Sequence, residues 1–358
     1  MRPLSGWTSP ESSRTTMRKG KLTRREALES VFGQQRGEKT PGPSAPVDEL
    51  VNSLEFAEQA KLMLSEEDFS SIAGSDRSIF DHYTFRPRMN VSTLDMDLSV
   101  DLFGHRLFTP IVVGPISNQK RYHPEGERAT IAGASAARAI TIVSSHASTP
   151  IPEMAAIAAE ASMPLWTAVY ADDEGPARAR AAASAGAQAV FVTVRASYED
   201  TRAKRSAEID WSLVETIRKS VDVPVVLKGI LSEADARKAA ELAIDGIVIS
   251  NFGGLLGGSK TAPLPELLAI RAAVGDKLPI LVDGSFRRAT DILVALILGA
   301  RGVLLGRPIM WALASYGAEG VTTLIKMLQR DLARCFAMLG ASNREALTRG
   351  HLKIHTRR

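Results

Sequence analysis

The chain has 358 residues, 45% hydrophobic and 23% charged, the composition of an ordinary soluble globular protein with enough apolar material for a large core. Its one cysteine, Cys335, excludes an intrachain disulfide and a cysteine-rich metal centre, and no metal site is expected. The formal charge of +4 gathers in the two tails without interleaved aromatics, so the basic residues read as solvated and no nucleic-acid partner is expected.

Residues 1 to 47 are rich in Ser, Thr, Pro, Gly and charge, and too poor in large apolar side chains to order themselves. They predict a flexible basic tail with one short helix over 23 to 32. Within it, Leu22-Thr23-Arg24-Arg25-Glu26-Ala27-Leu28 resembles a twin-arginine export signal, but the stretch that follows, 29 to 35, is polar where an apolar run is required. No run of about 18 apolar residues is present to span a membrane, and a cytoplasmic chain is expected. Residues 48 to 89 predict a helical N-terminal segment. Leu50, Leu54, Phe56, Ala57 and Leu62 follow helical spacing, and a second short helix covers 66 to 73, before Gly74-Ser75-Asp76.

From residue 90 to 358 the pattern changes to strand, loop and helix in alternation. Strands are predicted over 110 to 113, 140 to 143, 164 to 169, 189 to 194, 223 to 228, 246 to 250, 279 to 283 and 302 to 305. Helices between them are predicted near 127 to 138, 152 to 159, 175 to 186, 211 to 220, from Ser232 (capped by the Ser232/Asp235 pair), 265 to 274 and 289 to 298. A last helix, 322 to 338, packs outside. An open doubly wound sheet also alternates in this way, but eight successive units without a topological switch point favour a closed (β/α)8 TIM barrel.

Strand ends are where such a barrel does its chemistry. Two of them, Asp283-Gly284-Ser285-Phe286-Arg287-Arg288 and Gly306-Arg307-Pro308, follow the seventh and eighth strands, where loop amides, a helix N-terminus and arginine commonly hold a phosphate. Lys228 closes the apolar run Val225-Val226-Leu227, so it is desolvated and needs an anionic or acceptor partner.

Taken in order, Phe85-Arg86-Pro87-Arg88, Gly114-Pro115, His123-Pro124-Glu125-Gly126-Glu127, Ser144-Ser145, Thr193-Val194, Leu227-Lys228-Gly229, Ser250-Asn251, Asp283-Gly284, Arg287-Arg288, Thr290-Asp291 and Gly306-Arg307-Pro308 resemble the FMN-dependent α-hydroxy acid oxidase and dehydrogenase family. The resemblance covers about residues 65 to 355 and implies FMN as cofactor, a small-molecule substrate and a homo-oligomer, a tetramer in that family. It places Gly114, Pro115, Ile116 and Ser117 along the flavin ring, Ser144 and Thr193 at its polar edge, and Lys228 near N1 and O2. Ser250 joins this cofactor-binding set. Asp283 falls to the ribityl chain, Arg287, Gly306 and Arg307 to the phosphate, and Gly284 and Ser285 also belong to the cofactor-binding set. His123 reads as structural.

Where the family has Ser-Asn-His, with the histidine taking the substrate proton, this chain reads Ser250-Asn251-Phe252, and the arginine that clamps the carboxylate is Leu255. The aspartate that orients the histidine corresponds to Arg195, two active-site tyrosines correspond to Ala168 and Ser70, and a glutamine to Trp166. A phenyl ring accepts no proton, and leucine forms no charge-assisted pair. The flavin-binding set is kept while base, orienting group and carboxylate contacts change together. Arg202 is the one remnant of the clamp suggested by a gapless alignment. Candidates to contact substrate or replace the base are His146 and Arg195, with Asn118, Tyr198 and Lys204 also near the mouth. Phe252 and Trp166 suit an aromatic or apolar substrate. The expected function is therefore an FMN-dependent oxidoreductase with altered substrate or reaction, in which Lys228, His146 and Arg195 serve the chemistry. The alternatives are a flavin-binding barrel in a binding or scaffold role, without hydroxy acid oxidase activity, and an empty barrel.

Overall fold

The computed structural model describes residues 42 to 74, 76 to 88, 95 to 194, 208 to 252 and 262 to 355. The predicted helix at 23 to 32 and the twin-arginine stretch lie outside them.

Two helices precede the barrel. α1 (Ser53–Met63) starts where the Asn52 side chain accepts from Leu54 N, and α2 (Glu66–Ile72) where Ser65 accepts from Asp68 N. β1 (Tyr83–Phe85) pairs antiparallel with the last strand, β12 (Leu352–Ile354), tying the front of the described chain to its end. β2 (Val100–Leu102) and β3 (His105–Leu107) form a hairpin whose turn residues, Phe103 and Gly104, both have positive φ, as a type I′ turn demands. Neither this hairpin nor the β1/β12 pair was legible in the sequence pattern.

Eight parallel strands close the barrel: β4 (Ile111–Val113), β5 (Thr141–Ser144), β6 (Leu165–Tyr170), β7 (Val190–Thr193), β8 (Val225–Ile230), β9 (Gly246–Ile249), β10 (Ile280–Asp283) and β11 (Gly302–Leu305). β11 returns to β4, with Val303 opposite Ile111, so no edge is left unpaired. The crossover helices are α3 (Glu127–Ala136), α4 (Ile151–Glu160), α5 (Gly175–Ser184), α6 (Trp211–Lys219), α7 (Glu233–Glu241), α8 (Glu266–Val274) and α9 (Ala289–Ile297). At α7 the predicted cap is present: Ser232 Oγ accepts from Asp235 N at 3.1 Å and donates to its carboxylate at 2.6 Å. α10 (Arg307–Leu339) begins fifteen residues before the predicted start at 322, because the break at Gly317 (φ 56°, ψ −138°) hides the apolar turns ahead of it. A side chain at Gly317 would press on the His123 ring at 3.1 Å, which gives that histidine a packing role. No described helix is long and apolar enough to cross a membrane.

The barrel interior is layered by the period of two along each strand. Val112, Ile142, Ala168, Phe191, Val226, Val248, Leu281 and Leu304 form one buried cluster that fills it. Below, the hairpin closes the N-terminal end: Phe103 stacks edge-on against Trp166 (5.4 Å) and Phe191 (5.9 Å). That is why residue 246 is glycine; a Cβ there would sit 2.6 Å from the Phe103 ring. Above, the positions two residues further along each strand are Gly114, Ser144, Tyr170, Thr193, Lys228, Ser250, Asp283 and Gly306, where apolar filling gives way to polar or absent side chains.

Candidate active site

Those upper positions open into a cleft of about 290 Å³ at the C-terminal face of the barrel. Gly114, Pro115, Ile116, Ser117, Ser144, Thr193, Lys228, Asp283, Gly284, Ser285, Arg287, Gly306 and Arg307 all line it, as do Phe252 and Ala168. Ser117 Oγ and Ser144 Oγ are bonded at 2.8 Å, joining the ends of β4 and β5.

Ser250, the remaining member of the predicted cofactor set, does not line the cleft but sits behind Lys228. Its Oγ accepts from Lys228 Nζ (3.0 Å) and from Phe252 N (3.2 Å), and donates to Asp283 Oδ2 (2.9 Å). Lys228 Nζ also meets Asp283 Oδ2 at 2.8 Å, and its side chain is 5% exposed. The partner that a buried strand-end lysine requires is therefore supplied from within the barrel. The Phe252 ring covers the same ammonium, with Nζ 5.3 Å from its centroid. Phe252 itself has φ 52°, a left-handed backbone that a bulky residue seldom adopts.

At the other end of the cleft, Arg287 is 4% exposed. Its Nη1 donates to Phe286 O at 2.8 Å and its guanidinium lies 4.7 Å from the Trp311 ring, while Nη2 is buried with no partner. Burial, then the neighbouring Arg307, pushes the Arg287 guanidinium down to about 9. Burial lowers Arg307 as well. Beside this pair, α10 opens at Gly306 with no side-chain cap and points its positive dipole end at the cleft, while Pro308 lacks an N–H and the Ile309 and Met310 amides donate to Gly306 O. Two desolvated guanidiniums, an unused donor and a helix N-terminus fit a phosphomonoester dianion.

Several residues lie apart from their predicted places. Trp166 is not in the cleft; it is fully buried in the barrel below, against Phe103 and Phe191. Ser70 turns back to Glu66 O on the surface of α2, and it is the next residue, Ser71, that reaches the cleft. His146 stands behind the wall: its ring lies 5.4 Å from that of Tyr170, and its Nδ1 is 3.2 Å from Ser145 Oγ. Asn118 donates its backbone N–H to His146 O at 3.2 Å. Arg195, Tyr198, Arg202, Lys204 and Leu255 lie outside the described residues.

Tyr170 and Tyr122 line the cleft and were missed. Tyr170 was legible in the period of two, since Trp166, Ala168 and Tyr170 share one face of β6, but the strand was ended one residue early. Its ring is 6.4 Å from that of Phe252. Tyr122 bonds Ser71 Oγ through its hydroxyl at 2.9 Å, a contact across 51 residues that no local pattern announces. Among the described lining residues there is no histidine, and the one carboxylate, Asp283, is held by Lys228.

Comparison with known proteins agrees with this geometry. A family model described as FMN-dependent dehydrogenase matches residues 66–208 and 195–354. A peroxisomal (S)-2-hydroxyacid oxidase of Arabidopsis thaliana is 32% identical over 87% of this chain and 99% of its own length. A 4-hydroxymandelate oxidase of Amycolatopsis orientalis is 30% identical over 85% and 98%. The crystal structure of mandelate oxidase with (S)-2-phenylpropionate superposes with a TM-score of 0.78 at 31% identity, over 86% of this chain and 100% of that one. Matched from the second helix to the closing strand pair, and along almost the whole of these relatives, the chain belongs to the FMN-dependent dehydrogenase family.

Proposed function

We propose that this chain is an FMN-dependent oxidoreductase related to the α-hydroxy acid oxidases, holding FMN in the cleft and acting on an aromatic or apolar substrate rather than a simple hydroxy acid. The observation that carries the reading is a cleft that keeps the cation-rich end and Lys228 while its substrate wall presents the Phe252 ring. Bound FMN supplies the acceptor for the two electrons the substrate gives up.

The chain's own residues do the rest. Arg287, through its unused Nη2, and Arg307 would bind the phosphate beside the positive dipole end of α10. Asp283, shared with Lys228 and Ser250, would hold the ribityl chain, and Ser144 and Thr193 would hold the polar edge of the ring. Lys228 would stand beside that edge, and its buried pairing with Asp283 prevents it from swinging to water. Phe252 withholds a proton acceptor at the position of the family's base. Tyr170, edge-on to both Phe252 and His146, offers the substrate an aromatic wall, with the His146 ring packed behind it. The homotetramer and cytoplasmic location remain expectations, the first checked by light scattering and the second by fractionation.

Anaerobic mixing with L-lactate, glycolate or L-mandelate is expected to leave the oxidised flavin spectrum unchanged. Bleaching by any of the three overturns the assignment of Phe252 as the break in hydroxy acid chemistry. Bleaching by an aromatic alcohol or aldehyde, in the same experiment, separates an active oxidoreductase from a flavin-binding barrel that turns nothing over.

A further inference from the structure

The loop that follows β10 is held in an unfavourable shape from outside the barrel. Gly284 and Ser285 both have positive φ, 126° and 63°, and for serine that conformation is costly. Three ties run from this loop and the start of α9 to the N-terminal segment. Ser53 Oγ donates to Arg287 O at 2.6 Å, Ser285 Oγ donates to Asp76 O at 2.8 Å, and Arg77 Nη2 meets Asp291 Oδ1 at 2.7 Å. The third is the most consequential. Asp291 is 2% exposed, and its other oxygen, Oδ2, accepts the backbone N–H groups of both Arg287 and Arg288 at 2.9 Å. One buried carboxylate thus fixes the backbone that carries the Arg287 guanidinium, and its counter-charge comes from a residue more than 200 positions earlier.

We propose that Arg77 is a positioning residue for the cofactor phosphate, acting through Asp291 on the Arg287 backbone, so that the N-terminal segment is part of the phosphate clamp. The inference rests on the reading of the cleft as an FMN site. Arg77 does not itself line the cleft; it neutralises Asp291, which otherwise would be a buried anion free to turn away from the two amides it holds. With Arg77 absent, the loop relaxes from its strained shape and Arg287 Nη2 loses its aim, while the ring-binding part of the cleft, formed by the ends of β4, β5, β7 and β8, is untouched.

The consequence is specific to the phosphate, and riboflavin, which has the ring and ribityl chain without it, reports the difference. FMN and riboflavin are titrated by quenching of flavin fluorescence into wild type, Arg77→Gln, Arg77→Lys and Asp291→Asn. Wild type is expected to prefer FMN strongly. Arg77→Gln and Asp291→Asn are expected to lose FMN affinity about tenfold or more and riboflavin affinity less than about twofold, and Arg77→Lys to recover most of the loss. The double variant is expected to be no worse than Asp291→Asn alone, because the two residues act in series. Equal weakening of both flavins shows a general packing role and overturns the inference. So does an unchanged FMN-to-riboflavin ratio in a variant that still binds. If Asp291→Asn does not fold, the partly exposed partner Arg77 still carries the test. Wild type that fails to bind FMN overturns the flavin reading itself and this inference with it, whereas wild type that binds and variants that bind equally well overturn only this inference.

Discussion

At the scale of single residues, the cleft separates two kinds of cation. Lys228 is paired inside the protein, with Asp283 at 2.8 Å and Ser250 at 3.0 Å, so its charge is already placed before any ligand arrives. Arg287 is left with a buried, unpartnered Nη2 and is pushed down to about 9, chiefly by burial. The sign of the resulting pH dependence follows from that depression. Folding costs the charged form of Arg287, so the ligand-free fold bears this cost in full below about 9 and sheds it as pH rises above that toward the ordinary arginine range. A phosphate dianion reverses the preference, because it stabilises the guanidinium and raises its pKa in the complex. Binding above about 9 must therefore take up a proton, and phosphate-dependent affinity falls as pH rises through that value. The ratio of FMN to riboflavin affinity is expected to drop about tenfold between roughly pH 8 and pH 10, by the linkage of one proton to one site. Riboflavin cancels the ionisation of the flavin ring, which both ligands share. A ratio that stays flat over this range means that Arg287 keeps its charge through pH 10 and that burial does not depress it as far as about 9.

At the scale of elements, the eight strands and their crossover helices were legible because each is a short apolar run or an amphipathic turn bounded by its own stop signals, as with Ser232 before α7. What could not be read locally is what joins distant pieces: the β1/β12 pair, the Phe103 plug under Trp166, and the Ser71–Tyr122 contact. The correspondence of Trp166 to an active-site glutamine of the family places it at the site, whereas the period of two sends it a full layer down. Glu127 illustrates the same limit. The motif around it reads as structural, but only the fold shows its task. Its carboxylate, fully buried, accepts Gln119 N (3.0 Å), Ser148 N (2.9 Å), Ser148 Oγ (2.5 Å) and Thr149 Oγ1 (3.2 Å), latching the loop after β4 to the loop after β5. Burial alone would raise its pKa, but the Ser148 hydroxyl and the backbone N–H groups of Gln119 and Ser148 outweigh it, and the net shift is downward. A lowered carboxylate pKa contributes stability above its unfolded value of 4.5 that is lost on acidification through the folded value. Glu127→Gln turns an amide NH2 toward these donors and is expected to cost about 2–3 kcal/mol in urea unfolding at neutral pH, with the difference from wild type shrinking in acid. A variant as stable as wild type would show that the latch contributes nothing to the fold.

At the scale of the whole molecule, the cleft is where separate parts of the chain meet. Its walls come from the strand ends of the barrel, from Ser71 and Ile72 in the N-terminal segment, and from the first turns of α10, including Met310. The same parts are cross-linked behind the wall. Trp311 Nε1 donates to Ile72 O at 2.9 Å, Ser315 Oγ reaches Phe56 O, and the Tyr316 hydroxyl donates to Ala45 O at 2.7 Å. A ligand filling this cleft contacts all three parts at once, so its free energy is expected to add to the cooperative unfolding of the whole rather than to the barrel alone. With FMN at a hundred times its dissociation constant, the added stability is about 2.7 kcal/mol, and roughly 2 °C or more in Tm for a chain of this size. Calorimetry of the flavin-free and flavin-loaded protein is expected to show one transition that moves upward as a unit with FMN concentration. Two transitions, with only the later one moving, would mean that the N-terminal segment melts off a barrel that keeps its flavin. The ties from Ser53, Asp76 and Arg77 to the β10 loop argue against that, because a barrel without them loses the brace on Arg287 and with it the phosphate.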